Sequence, residues 1–187
     1  MPIETIQGTR EFHLWNQRTS YILCVFANGR VGQPHFGAPL AAGRSYRHLD
    51  PRQLATLDNG AGDGIRFEYP TYGSGDFRAP ALAIDTADGA PVLELVYAGH
   101  RILSGKPPIP GLPSTYTERD DEADTLEIEL RDAPSGAVVL LSYTIFRDHP
   151  AVARSVRVRN GGTRPMTLRT AMSASLDRKS TRLNSSH

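Results

Sequence analysis

The sequence predicts an all-β protein built as an antiparallel β-sandwich. Three observations carry this. Wherever the chain is regular, its apolar residues recur at every second position, and no window of about a dozen residues holds a helical period of roughly 3.6. Glycine and proline account for 17 and 14 of the 187 residues, which favours turns over long helices. The candidate strands are short and evenly spaced between turn residues, the pattern of a sandwich. At roughly 150 residues per domain, the length predicts one domain with a sizeable core.

Taken in order, YILCVF at residues 21–26 and VLELVY at 92–97 are short apolar strands bounded by Gly, Asn and Pro. From Thr125, the apolar residues Leu126, Ile128 and Leu130 alternate with Glu127 and Glu129, predicting a strand with one face buried and one facing water. The run from Val138 to Phe146 places Val139, Leu141, Tyr143 and Ile145 on one face. Between the two lie Asp132, Pro134, Ser135 and Gly136, so the pair reads as a hairpin. Residues 152–158 alternate again, with Arg154, Arg157 and Arg159 interspersed. Asn160-Gly161-Gly162 is a tight-turn signal, and Met166, Leu168, Thr170 and Met172 share a face of the strand that follows. Two segments break the pattern. Residues 43–64 form a polar loop ending in DNGAGDG, and KPPIPGLP at 106–113 is proline-dense and predicted to lie extended along the surface.

Composition narrows the function. Apolar residues make up 39% and charged residues 22%, values of an ordinary folded protein. No apolar run approaches the roughly 20 residues of a membrane span. The N-terminus lacks the basic-then-apolar order of a secretory leader, so a cytoplasmic protein without a membrane partner is expected. The lone Cys24, inside an apolar strand, reads as a small buried hydrophobe. A net charge of +1 gives no reason to expect nucleic acid. The tail RKSTRLNSSH, residues 178–187, is set apart: it is basic, lacks an apolar period and resembles a translated sequencing adapter. Removing its three basic residues from the 21 leaves 18 against 20 acidic ones, a net of −2. Residues 1–177 are therefore expected to form the native domain and 178–187 a non-native tail, with the true protein continuing past Asp177.

No self-contained catalytic constellation emerges. The six histidines include no HExxH and no close pair, so no metal is expected. A nucleophile elbow, a dinucleotide fingerprint and a phosphate loop are all missing from the sequence, and no cofactor is expected. The acidic cluster Asp120, Asp121, Glu122 and Asp124 precedes a strand and reads as loop solvation. The densest signal is EYPTYGSGDFRAPA at residues 68–81. Asp76 and Arg78 share a face there. They either pair as part of a rigid corner, the preferred reading, or converge on a polyhydroxylated ligand on which Tyr69 and Tyr72 stack.

Longer stretches carry a resemblance. FHLWNQRTSY at 12–21, NGRVGQPHFGAPL at 28–40, EYPTYGSGDFRAPA at 68–81, HRILSGKPPIPGLPSTY at 100–116, ADTLEIELRD at 123–132, VARSVRVRNGG at 152–162 and TLRTAMSASLD up to Asp177 occur in this order. Together they resemble the N-terminal domain of bacterial α-galactosidases of glycoside hydrolase family 36, the raffinose- and melibiose-type enzymes. The resemblance implies the incomplete N-terminal part of an antiparallel β-supersandwich, followed in the parent by a catalytic (β/α)8 barrel. It implies a retaining mechanism on two aspartates that this chain lacks, so no catalytic residue is assigned. It implies α-galactoside oligosaccharides as substrates and a homo-oligomer, tetrameric in relatives, in which a loop of this domain reaches a neighbour's sugar site. The matching loop residues are Leu49-Asp50. The loop differs in length from that of relatives, so their following loop arginine has no direct match and Arg66 is its candidate; Asp50 as a plain turn residue before Pro51 is the other reading. A stand-alone carbohydrate-binding sandwich and a structural oligomerisation domain are the competing expectations.

Overall fold

The computed structural model describes residues 2–6, 8–49, 67–76, 78–86, 89 and 92–175. Among them are ten β-strands and no α-helix. The first sheet is a meander of β1 (Ile3–Ile6), β2 (Glu11–Trp15), β3 (Ser20–Val25) and β4 (Val31–Gly37), ordered β1-β2-β3-β4. After β5 (Leu82–Thr86), a second meander of β6 (Val96–Ser104), β7 (Ala123–Arg131), β8 (Ala137–Phe146) and β9 (Val152–Asn160) forms the sheet β6-β7-β8-β9. The last strand, β10 (Met166–Ala171), pairs antiparallel with β5.

Alternation decides which side chains meet between the layers. Phe12 and Leu14 of β2 and Tyr21, Leu23 and Val25 of β3 face Leu126, Ile128, Leu130, Val139, Leu141, Tyr143 and Ile145 of the second sheet in one core. The β7–β8 hairpin holds the predicted faces in register, with Leu126 opposite Tyr143, Ile128 opposite Leu141 and Leu130 opposite Val139. Leu82 and Ile84 of β5 join the same core. Asn16 ties the sheets at one end. Its side-chain oxygen accepts the N–H groups of Arg18 and Thr19, and its amide donates to the carbonyls of Phe146 and His149 at 2.7 and 2.8 Å.

Two expectations change. The strand foreseen at 92–97 begins only at Val96 and runs on to Ser104. Before it, side chains replace the ladder: Thr71 Oγ1 donates to the Leu93 carbonyl and the Glu94 N–H donates to Asp132. A register shift between Tyr97 and Gly99 hides the alternation of the true strand. Residues 160–162 do turn the chain, and the strand that follows, β10, pairs with β5, outside the second sheet. Glu127, expected in water, is 6% exposed because Arg101 and the 105–119 connection cover it.

The β7–β8 turn depends on one backbone geometry. Gly136 has φ +74, and a Cβ there would lie 2.6 Å from the Gly162 Cα. Left-handed backbone costs a side chain about 1–2 kcal/mol before any clash. Gly136→Ala is therefore expected to destabilise by about 2 kcal/mol or more, a melting-temperature drop of about 4–8 °C in a chain of this size. An unchanged melt would show that the two turns do not press together.

Candidate functional site

The segment 68–81 folds inward. Glu68 follows Phe67, whose bridge to Gly32 holds the chain against β4, and its carboxylate is fully buried between the sheets. The Tyr21 hydroxyl lies 2.9 Å from both carboxylate oxygens, and the Tyr143 hydroxyl donates to Oε1 at 2.9 Å. Arg154 sits opposite Tyr143 in the β8–β9 register and so faces the core. Its Nη2 lies 2.5 Å from Glu68 Oε1, its Nη1 donates to the Tyr21 oxygen at 3.1 Å, and its guanidinium lies 5.2 Å from the Tyr143 ring centre. Burial pushes the Glu68 carboxyl up, opposed by Arg154 and the two hydroxyl donors. Burial, together with the Glu68 charge, pushes Tyr21 and Tyr143 well above the usual phenol range, so both stay protonated donors.

The rest of the segment is a rigid corner, as the preferred reading has it. Arg78 Nη2 lies 2.5 Å from Asp76 Oδ2, and its Nε donates to Asp76 Oδ1 at 2.9 Å. The same guanidinium donates to the carbonyls of Phe67 and Ser175, closing the corner onto distant chain. Paired with Arg78, the Asp76 carboxyl stays below the usual range despite its burial. Tyr69 is buried, with its hydroxyl bonded to the Ala81 carbonyl, whereas Tyr72 is half exposed. The two tyrosines therefore do not form one stacking platform. The acidic cluster also divides: Asp121 pairs with exposed Arg119, while Asp124 is buried 3.9 Å from Arg147. Among the described residues, no three His, Cys, Asp or Glu side chains converge as a metal site, and no helix is long and apolar enough to cross a membrane.

Asp50 and Arg66 lie outside the described residues, as does the tail 178–187. The approach to Asp50 is described. Residues 38–49 cross the far face of the first sheet as a strap, ending in a 3₁₀ turn at Arg47–Leu49. Its fastening is polar and buried. Tyr46 donates its hydroxyl proton to the Ala41 carbonyl, so it accepts from His13 Nδ1 at 2.9 Å. His13 Nε2 is then the acceptor for the Ser20 hydroxyl at 2.8 Å, and Ser20 Oγ accepts the Leu40 N–H at 2.9 Å. Glu11 accepts the Tyr46 N–H, and Glu4 accepts the Gly43 N–H. This proton order needs a neutral imidazole. Burial holds His13 down at about 4, with Glu4 opposing and His35 adding to the shift. Sequence reasoning passed over these residues as scattered histidines. The available signal was Glu11 and His13 alternating with Phe12 and Leu14 in a strand whose polar side should have been exposed.

Two outcomes follow from this geometry. Removing one member of the inter-sheet pair leaves a buried charge uncompensated, so Glu68→Ala is expected to cost about 3–5 kcal/mol in urea melts. Glu68→Leu combined with Arg154→Met should be more stable than either single change; a double variant weaker than both would refute the pairing. For His13, an unfolded chain takes up the proton near 6.5 while the fold resists it down to about 4. Its contribution is thus complete above pH 6.5 and declines as pH falls towards 4. His13→Gln should shrink the stability difference between pH 7.5 and pH 5, and an unaltered difference would contradict the neutral network.

The sequence profile of the glycosyl hydrolase family 36 N-terminal domain matches residues 29–186, a range that runs through most of the basic tail. The alpha-galactosidase AgaA of Geobacillus stearothermophilus is 37% identical over 176 residues, which is 90% of this chain and 24% of that protein. The crystal structure of the alpha-galactosidase AgaB from the same organism superposes with a TM-score of 0.80 at 34% identity, covering 92% of this chain and 24% of its own. An AgaA variant in complex with raffinose gives a TM-score of 0.76 at 37% identity, over 87% of this chain and 24% of its own. The chain thus spans about a quarter of the length of the relatives it matches. By sequence and by fold, it belongs to the glycosyl hydrolase family 36 N-terminal domain family.

Proposed function

We propose that residues 1–177 are the N-terminal β-sandwich of a retaining α-galactosidase that releases terminal α-linked galactose from oligosaccharides. The observation that carries this is the superposition of 92% of the chain on 24% of AgaB, together with the match to the family 36 N-terminal domain and relatives named as alpha-galactosidases. Raffinose belongs to the substrate class on the strength of the complex with the AgaA variant. A retaining hydrolysis needs two carboxyl groups about 5–5.5 Å apart across the anomeric carbon. On this reading both belong to the part of the parent enzyme beyond this chain, and the domain contributes to assembly of a homo-oligomer. Its own share in substrate recognition is the strap. The buried His13 and Tyr46 fasten it, and it delivers the chain to Leu49, next to Asp50, at a fixed point of the first sheet. Asp50, with Arg66, then contacts the sugar in a neighbouring subunit.

Two measurements test this. The purified 187-residue chain is expected to release no p-nitrophenol from its α-galactoside; turnover above a buffer blank that survives repurification would overturn the division of labour. In the full-length oligomer, Asp50→Ala removes a charged hydrogen bond of about 1.5–3 kcal/mol. The expected result is a fall in kcat/KM of about 10- to 150-fold with the melting temperature retained. A lowered melting temperature with unaltered kcat/KM would instead make Asp50 a turn residue.

A further inference from the structure

The outer face of the second sheet is partly roofed. The β6–β7 connection, residues 105–119, folds back over β7–β9 instead of closing a tight hairpin. Its root is fixed: the Gly105 N–H donates to the Ala123 carbonyl, and Thr125 Oγ1 donates to the Gly105 carbonyl, both at 2.8 Å. Between this roof and the sheet lies a cleft of about 330 Å³. That is at the small end of the range for small-molecule sites, roughly 300–1,000 Å³. Pro107, Pro108 and Pro113 form the wall, and their rings fix the backbone in advance, which lowers the ordering cost of binding.

Proton counting gives the floor a direction. Thr125 spends its hydroxyl proton on Gly105, so at the 2.8 Å contact between the two threonines Thr144 is the donor. Ser142 donates to Glu127. Thr144 and Ser142 are left with lone pairs, so at these two positions the floor accepts hydrogen bonds, while the Ser155 hydroxyl beside Ser142 can donate or accept. The Glu127 charge is already met by Arg101. The mouth is the opposite. Lys106 and Arg157 line the same cleft, and neither has an acidic partner among the described residues. Lys106 is also partly desolvated, and burial alone pushes its ammonium down, with no carboxylate to oppose the shift. No aromatic ring lines the cleft among the described residues, so it lacks the stacking surface that suits a neutral sugar.

We infer that this cleft binds a small polyhydroxylated molecule carrying one carboxylate or phosphate, its hydroxyls donating to Ser142, Thr144 and Glu127 and its oxyanion held by Lys106 and Arg157. The site is separate from the strap on the first sheet and does not depend on the α-galactosidase reading. Titrating the full chain by calorimetry with galacturonate and with galactose 6-phosphate tests it, with galactose and inorganic phosphate supplying one feature each. At least one anionic sugar is expected to bind ten times or more as tightly as either control, and which of the two binds identifies the oxyanion. Lys106→Met and Arg157→Met should each weaken that binding by roughly tenfold or more while leaving the melting temperature in place. Absence of saturable binding, galactose or phosphate binding as tightly as the anionic sugars, or binding that survives both substitutions would overturn the site.

Discussion

The fold turns on a carboxylate with no access to water. Glu68 stands between two sheets that otherwise meet through hydrocarbon, and it is reached from three strands: Tyr21 on β3, Tyr143 on β8 and Arg154 on β9. Desolvating a charge is costly unless every lone pair finds a donor. Glu68 therefore tolerates few arrangements of the two layers, whereas Leu and Ile tolerate many. A layer shifted by two residues along its strands would still bury apolar area, because a period of two puts another apolar side chain in place, but it would strand Glu68 and Arg154. The pair adds little net stability against an apolar replacement; what it contributes is selection of one register between the sheets.

The corner after Glu68 extends that selection along the chain. Arg78 reaches back to the Phe67 carbonyl and forward to the Ser175 carbonyl, so the residues flanking Glu68 are fixed to chain nearly a hundred positions away. Residues 68–81 look like a ligand loop because they concentrate Gly, Pro, Tyr, Asp and Arg. A corner that must turn sharply, bury a carboxylate and clamp its own ends calls for the same residues. The geometry separates the two uses: the guanidinium of Arg78 is taken up by internal oxygens, and Tyr69 points inward.

How much of this was legible followed from how local each feature is. The faces of β7, β8 and β9 were readable because alternation reports burial within a few residues. β6 was obscured by a bulge at Tyr97 and by side-chain bonds that stand in for a ladder at Leu93 and Glu94. The pairing of β10 with β5 is a non-local contact that no local pattern records. Glu127 misled, and His13 gave no signal, for one reason: each lies on the second face of a strand, and a connecting segment far away in sequence roofs that face. A strand pattern records that a face is polar. It does not record that the polar groups bond to a strap instead of to water. The pairing of Glu68 with Arg154 spans 86 positions and had no local signature at all.

Both sheets carry a roofed outer face, and the two roofs differ in what they leave over. Over the first sheet most polar groups are matched, with Glu11 Oε2 and Trp15 Nε1 the buried atoms left without a partner among the described residues. The hydroxyl protons of Tyr46 and Ser20 and both nitrogens of His13 are committed, and the strap is held at Leu40, Gly43 and Tyr46 by backbone donors. Such a strap acts as scaffold. Ordering a residue costs about 1–2 kcal/mol of conformational entropy, so chain that leaves the sheet from a pinned point at Leu49 carries less of that cost than chain leaving from a free end. Over the second sheet the matching stops short, because two cations and several acceptor lone pairs remain facing a cleft walled by proline. A domain stabilises itself by pairing its buried polar groups and recognises other molecules with those it leaves unpaired. By that criterion the strap over the first sheet is scaffold, and the roof over the second is where the domain leaves unpaired cations facing a cleft.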